Sequence, residues 1–468
     1  MADAETSIRF TTELEHLRVT DAPIQLPTRL SRAGLSEVVN HLLTDSLGAS
    51  HVARPFDFLL QGELVRGSLG QALARHALSG EAVATLEYVE CLPPPTPERT
   101  MAHDDWLGGL AAHPGGSRLV LAACYNHAAY VWDADGHRLA ELTGHTSAVK
   151  AVAWLRGDNG DDDNGGGAAM LRAASGSKDH TVRTWRLRVK SSSSSGKAKN
   201  GSNGGGSTSL ESLQCESTLV GHTSSVESLA VSPSGEMLCS GASDGTVLLW
   251  NAGEAAAAFD SASSANAGPA SKRAKKGGSG AIATTSAPAE LQPSVKLMAG
   301  INTSAHQGPV NGLCWPTAAL VYSGSWDGTL REWHAETGSV SATLAGQPAV
   351  LGLDVSLSSS LIASAHTDHT LRVWDLRLQQ AALRLKLPHP GWVSDVKWCP
   401  HQPHTLASAC YDGTVRLWDV RSSIPLHELH SHKGGKALCL AWDGAERLCS
   451  GGSDAQMAVA AIAPPGAA

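Results

Sequence analysis

The chain has 468 residues, 17% charged and 5% aromatic, with 48 glycines and a formal net charge of −8. This length exceeds one ordinary hydrophobic core, and the glycine content commits much of the chain to turns and linkers. The acidic balance excludes a protein that coats nucleic acid with its whole surface, though not a local basic patch. The nine cysteines form no CxxC pair and no zinc-like spacing. Cys239, Cys314, Cys399, Cys439 and Cys449 sit in apolar, strand-like runs and read as buried, reduced thiols. No uninterrupted apolar run reaches about 18 residues, and the start Met-Ala-Asp-Ala-Glu-Thr carries no basic-then-apolar signal. The expectation is a soluble protein of a reducing compartment with no membrane partner.

Residues 7–92 differ in pattern from the rest. Ile8-Arg-Phe10 alternates like a strand, and a second extended segment ends near Ile24-Gln-Leu26. Leu35, Val38, Val39, Leu42 and Leu43 recur at helical spacing, with Ser31 or Ser36 as N-cap. Phe56 to Leu60 reads as a strand, Gly62-Glu63 as a turn, Leu64-Val65 as the next strand, Leu69 to His76 as a short helix and Thr85 to Val89 as a last strand. The order β-β-α-β-β-(short helix)-β in about 85 residues is that of a ubiquitin-like α+β roll. Pro93-Pro-Pro95 stiffens the exit, and residues 93–100 read as linker and the start of a closing strand.

From 101 to 463 one unit repeats, best seen in Ala407 to Val420. There Asp412-Gly413 predicts a two-residue hairpin turn between β-branched and aromatic runs. Aligned on that aspartate, the copies carry Asn126, Asp179, Asp244, Asp327, Asp368, Asp412 and Asp454. Six residues later stand Trp132, Trp185, Trp250, Trp333, Trp374 and Trp418. Four residues earlier come Ser175, Ser240, Ser323, Ser364, Ser408 and Ser450. Some 21–23 residues earlier lie His103, His222, His306, His389 and His432, with His145 joining once an insert is allowed for. The last four turn residues are 41–44 apart, the length of one four-stranded propeller blade. Seven copies predict an all-β, seven-bladed propeller. Only Ala458 to Ala468 follows the last copy, so Thr96 to Ala102, which aligns with outer strands such as Thr218-Leu-Val220, is expected to close the ring.

A buried histidine that bonds the turn aspartate, with serine and the indole N–H extending the chain, leaves no buried polar group unpaired. Repetition of Ser, His and Asp six times therefore reads as structure, not as catalytic triads. Copies one (Ala122, Asn126), five (Gln347 at the histidine position) and seven (Ala460 for tryptophan) depart from the pattern and are expected to be the least well pinned. Inserts at 157–167, 190–212 and 252–294 are too polar or too Ala/Ser-rich to bury a core and are expected to be disordered. The last carries Lys272, Arg273, Lys275 and Lys276, readable as a solvated linker run, a nuclear import signal or an RNA-phosphate contact. There is no P-loop, HExxH, G-x-S-x-G or GxGxxG after a strand, so the chain reads as a non-enzymatic binding protein without a cofactor of its own.

The N-terminal unit, with Ile8-Arg-Phe, Gly34 to Leu43, Pro55 to Leu59 and Leu86-Glu-Tyr-Val89, followed by His103-Asp-Asp-Trp106, resembles one family. This is the WD-repeat ribosome-biogenesis family whose ubiquitin-like domain is of the NLE type. Its members join pescadillo and the block-of-proliferation WD-repeat protein in the PeBoW complex. The resemblance covers nearly the whole chain, and its specific part is the ubiquitin-like segment. It implies a nucleolar and nucleoplasmic assembly factor for the large ribosomal subunit, needed for pre-rRNA maturation on pre-ribosomal particles. It further implies that the ubiquitin-like domain docks on midasin, a giant AAA+ ATPase, whose movement strips the factor from the particle. The family's docking motif, a leucine and two small residues before a glutamate, matches Leu78, Ser79, Gly80 and Glu81, with Gly80 where a serine is usual. The resemblance assigns to Glu81 the completion, in trans, of the partner's Mg²⁺ site, a role that suits a carboxylate oxygen. Without the resemblance Glu81 reads as an ordinary exposed acid in a loop.

Three competing readings remain. A Notchless-type, midasin-dependent assembly factor carries more repeats than the seven counted here. A ubiquitin-ligase substrate adaptor would associate with a cullin complex. A direct RNA-binding protein would need a basic, aromatic-lined surface, whereas six of the thirteen tryptophans here fall to the clasps and the net charge is acidic. Peripheral rRNA contact near Lys190 or Lys272 stays open.

Overall fold

The structure is a computed structural model that describes residues 5–47, 52–78, 83–115, 117–157, 168–191, 208–253, 289–291, 295–297, 306–377 and 382–463. The chain divides into two compact units, one built around the residues up to Thr96 and one around the repeats.

The first unit runs β1 (Glu5–Thr11), β2 (Ile24–Pro27), α1 (Arg32–Leu47), β3 (Phe56–Leu60), β4 (Glu63–Leu64), α2 (Leu69–Arg75) and β5 (Ala84–Glu90). Its sheet has the order β2-β1-β5-β3-β4, with β1 and β5 parallel and the other pairs antiparallel. Alternation along the strands turns Ile8, Phe10, Phe56, Phe58, Leu86 and Tyr88 into the core, against Leu35, Val39 and Leu43 of α1. The helix starts at Arg32, directly after Ser31, whose carbonyl accepts from Leu35 N–H at 3.0 Å. Ser36 therefore lies inside the helix and has a different task. Its hydroxyl accepts from Phe56 N–H at 3.0 Å and donates to Arg54 O at 3.3 Å, tying α1 to β3. The β3–β4 turn is Gln61-Gly62, one residue earlier than expected, with φ of 51° and 82° at its two positions. Ser68 and Gln71 form a capping box that starts α2.

In the second unit, seven further sheets stand among the described residues. Their innermost strands are Leu107–Ala112, Val149–Leu155, Val226–Val231, Val310–Cys314, Val350–Ser356, Val393–Trp398 and Ala437–Asp443. Each innermost strand packs on the next and the seventh on the first, which makes a closed propeller ring. Thr96–Ala102 forms the outer strand of the seventh sheet, beside Gln456–Ala461. The hairpin inside each blade differs from the two-residue turn expected. In the sixth, Cys410 N–H donates to Thr414 O (3.0 Å) and Gly413 N–H to Cys410 O (3.0 Å), so the loop is Tyr411-Asp412-Gly413. Only Gly413 takes positive φ, 80°. This is the three-residue loop with a bulge, in which the aspartate keeps an ordinary conformation and its side chain is free to cap.

Two of the three inserts are smaller than expected. Lys190 and Ser191 end the strand Thr181–Ser191, and residues 208–212 begin its partner Thr208–Val220. The two pair out to Ser191 opposite Thr208, with register shifts at Thr184/Trp185 and Arg188/Val189, and with Glu211 paired to Arg188 (3.3 Å) and Lys190. Backbone pairing, surface ion pairs and the packing of Val189 and Leu210 on the neighbouring core carry this arm. Ala252 and Gly253 also belong to the described fold, and Ala289–Leu291 pairs parallel with the outer strand of the second blade. Apart from Gly157, the first insert lies outside the described residues, as do 192–207, most of 252–294 and the cluster Lys272, Arg273, Lys275 and Lys276.

Candidate functional site

The segment expected to dock, Leu78 to Glu81, begins from a fixed point. Leu78 N–H donates to Leu73 O at 3.1 Å, just after Ala77 reverses the chain with φ 51°, and the Leu78 side chain packs against the core. Ser79, Gly80 and Glu81 lie outside the described residues. The chain resumes at exposed Val83 and buried Ala84. Beside these flanks a cavity of about 400 Å³ is lined by Leu59, Gln61, Leu78, Val83, Thr85 and Glu87.

The clasps are where the sequence places them, with local variations. In the second blade His145 Nδ1 bonds Asp179 at 2.8 Å, His145 Nε2 bonds Ser175 Oγ at 2.8 Å, and Trp185 Nε1–H donates to Ser175 Oγ at 2.8 Å. The fourth repeats this with His306, Asp327 (3.0 Å), Ser323 (2.7 Å) and Trp333 (2.7 Å). In the third, His222 and Trp250 both meet Ser240 at 2.7 Å, but His222 Nδ1 bonds Thr246 Oγ1 at 3.0 Å and stands 3.6 Å from Asp244. In the sixth, His389 holds Ser408 at 2.8 Å and Trp418 is buried, while Asp412 takes Arg416 (2.8 Å) and Thr414 (2.6 Å). The aspartate of that blade is thus held by an arginine four residues on, which satisfies it with a full charge.

Copies that depart from the pattern find substitutes. In the first, Trp132 Nε1–H donates straight to His103 Nε2 at 3.0 Å across the missing serine, and Asn126 bonds Tyr130. In the fifth, Gln347 pairs with Arg372, and the histidine comes from another place: His366 Nε2 meets Ser364 Oγ at 2.8 Å, and Trp374 donates to the same oxygen at 2.8 Å. The seventh keeps His432 on Asp454 (3.0 Å) and Ser450 (2.9 Å) without a tryptophan. Sequence reasoning missed His366, and it missed the turn threonines Thr181, Thr246, Thr329, Thr370 and Thr414. Recurrence of Thr two residues after five of the aspartates was the available signal.

Electrostatics follow from these bonds. Burial alone would raise the carboxyl pKa of Asp179, Asp244 and Asp327, but it is outweighed, by hydrogen bonds from histidine and threonine at Asp179 and Asp327 and by those from Thr246 and Thr223 at Asp244, and each is held well below the usual range. Burial depresses His366 and His389 to about 4, so both stay neutral at pH 7. Each clasp serine that bonds both histidine and indole has its oxygen occupied twice, and Ser175, Ser240, Ser323 and Ser364 are fully buried. None of these oxygens can meet a substrate carbonyl, so Ser–His–Asp geometry here is structural. Among the described residues, Asp133, Asp135 and His137 group potential metal-ligand atoms. The Asp133 carboxylate already accepts the backbone N–H of Asp135 (2.9 Å) and His137 (2.8 Å), which identifies an ordinary turn.

Comparison with known proteins agrees with both units. The NLE (NUC135) domain profile matches residues 6–73, and the WD domain, G-beta repeat profile matches 136–186, 213–251, 300–334, 338–375 and 383–419. A ribosome biogenesis protein WDR12 homologue of Chlamydomonas reinhardtii is 34% identical over 97% of this chain and 97% of its own length. Homologues of the same name from Oryza sativa subsp. japonica and Nematostella vectensis are 32% and 30% identical, covering 97% and 98% of this chain and 96% and 99% of their own. An NLE domain followed by a closed WD-repeat propeller, aligned end to end with these relatives, makes the chain a member of the WDR12 family of ribosome biogenesis proteins.

Proposed function

We propose that the protein is a non-enzymatic assembly factor of the large ribosomal subunit, working in the nucleolus and nucleoplasm, and that its two units divide the work. The propeller holds pescadillo and the block-of-proliferation protein on the pre-ribosomal particle during pre-rRNA maturation. The NLE domain is the handle by which midasin, driven by ATP, removes the factor. The observation that carries this reading is the alignment with ribosome biogenesis proteins over 97% of the chain. A rigid ring of clasped blades suits a platform, since partner surfaces stay in register without ordering on binding.

Release is assigned to Glu81. Leu78, anchored on the core, launches the loop that carries it. One carboxylate cannot hold a divalent cation by itself, but it can supply the last oxygen to a cation that a partner already holds. Gly80 at the position before it lets the loop adapt while leaving the ligand oxygen unchanged. The test is a pull-down of the midasin metal-site domain by the full chain in Mg²⁺, with chelator as control. Glu81→Ala and Glu81→Asp lose binding, and unchanged binding by folded Glu81→Ala would overturn the assignment.

A further inference from the structure

Of the thirteen tryptophans, three are exposed among the described residues: Trp106, Trp326 and Trp392, at 47%, 44% and 38%. They occupy two positions that pair with each other in every blade, Trp106 and Trp392 the first and Trp326 the second. In every blade the residue that precedes the innermost strand accepts, through its carbonyl, the N–H of the residue that precedes the turn aspartate or its equivalent, as in Tyr125 N–H to Trp106 O (2.9 Å) and Tyr411 N–H to Trp392 O (2.9 Å). The innermost strand and its neighbour are antiparallel, so the start of one and the end of the other share one end of the blade. These paired positions therefore form a circle on one face of the propeller. Trp106 and Tyr125 fill it in the first blade, Trp326 in the fourth, Trp392 and Tyr411 in the sixth.

The rings reach across blades. Trp392 lies 5.5 Å from Tyr411 at 32° and 6.4 Å from Trp326 at 81°, spanning the fifth blade, whose entering loop at Gln347-Pro348-Ala349 is one residue shorter. Two lysines from adjoining blades complete the circle, Lys178 Nζ 5.0 Å from the Tyr125 ring centre and Lys436 Nζ 4.5 Å from that of Tyr411. No ion pair holds either ammonium among the described residues, so both remain available to an anion.

We infer that this face binds single-stranded RNA, with bases stacked on Trp106, Trp326 and Trp392 and phosphates drawn to Lys178 and Lys436. Exposed π-faces interleaved with unpaired ammonium groups are what a strand of any base sequence requires: every base offers a π-face, and each step between bases carries one charge. An acidic peptide would satisfy the lysines but leave three indole faces without a partner of matching shape. Among the described residues, burial of the clasp tryptophans leaves Trp106, Trp326 and Trp392 as the exposed indoles of the repeats, and they are far in sequence from the basic cluster Lys272 to Lys276. The inference is independent of docking through Glu81.

Binding of fluorescently labelled oligouridine to the purified full chain, followed by anisotropy and by tryptophan quenching, tests it. The wild type binds the single strand and binds a duplex RNA far more weakly, because paired bases keep their faces in the stack. Trp326→Ala and Trp392→Ala each weaken binding about fivefold or more, and Trp392→Phe restores most of the loss. Lys178→Ala and Lys436→Ala each shallow the dependence of log affinity on log salt by about 0.7. Leu357→Ala, at the exposed opposite end of a blade, changes nothing. Equal binding of single strand and duplex, undiminished binding by the tryptophan variants, or loss only on replacing Lys272 to Lys276 with alanine overturns the inference. So does polyglutamate binding that depends on the same residues when oligouridine does not bind, which would assign the face to an acidic protein.

Discussion

At the scale of single residues, buried polar groups set the tolerances of this molecule. Ser323 Oγ receives Trp333 Nε1–H and bonds His306 Nε2, so Ser323→Ala strands two buried groups at once and costs about 2 kcal/mol, read from urea unfolding. A stronger case is Glu216, fully buried, which takes Arg172 through Nε and Nη2 (3.0 and 2.8 Å) and Arg186 through Nε (2.7 Å). Glu216→Ala removes the carboxylate that the buried Arg172 guanidinium is paired with and one partner of Arg186, and is expected to cost about 3–5 kcal/mol, measured as a fall in the urea midpoint. Histidines add a pH dependence of definite sign. His366 and His389 drop from the ordinary 6.5 to about 4 on folding, so below pH 6.5 the unfolded chain binds protons that the folded one refuses. Stability is therefore full above pH 6.5 and falls until about pH 4, and His366→Gln removes part of that slope in urea titrations across this range. The clasp aspartates act further down: their stabilisation is complete above the ordinary carboxylate pKa and fades only in stronger acid.

At the scale of elements, the blades are joined by side chains that cross from one innermost strand to the next. Ser228 Oγ donates to Val310 O and Ser394 Oγ to Ala437 O, both at 2.7 Å. Asp354 accepts Trp398 N–H at 2.7 Å, and Asp395 accepts Leu440 N–H at 2.9 Å. Such bonds let each sheet align its neighbour without a shared ladder. The seam is different, because there a strand from before the array, Thr96–Ala102, supplies the last hydrogen-bonded edge. Met101 is its buried anchor, packed in one cluster with Val120, Trp132 and Met457. Met101→Ala should lower stability by about 2 kcal/mol or more. An equivalent truncation in an exposed outer strand, Leu383→Ala, should change the melting temperature little.

At the scale of the whole molecule, function rests on two units with different physics. The ring is held by repeated clasps; the NLE domain is held by one compact apolar core. Glu81→Ala leaves that core untouched, so the variant protein is expected to fold, to join pre-ribosomal particles and to remain on them. Its retention in large-subunit precursor fractions of a sucrose gradient, against loss of the wild type after ATP addition, is the corresponding measurement. Unchanged release would separate removal from Glu81.

Much of this was legible before any coordinates. The spacing of Ser, His, Asp and Trp encodes the ring because a blade is a local unit, whose strands pair with sequence neighbours and whose clasp residues recur at fixed offsets. The NLE core was legible for a similar reason, since strand alternation and helical spacing each mark one buried face. Tertiary structure alone decided the rest. His366 enters the fifth clasp from two residues beyond its serine, an offset that no other copy uses. Glu216 gains its arginines only when strands 30 and 44 residues away lie beside it. The arm around Ser191 and Thr208 is polar in composition and is ordered by pairing that composition does not reveal. Exposure of Trp106, Trp326 and Trp392, against burial of the clasp tryptophans, is likewise a property of the closed ring. Local periodicity determines which face of a strand is apolar; only closure determines which ends of the strands meet water, and there the aromatic face appears.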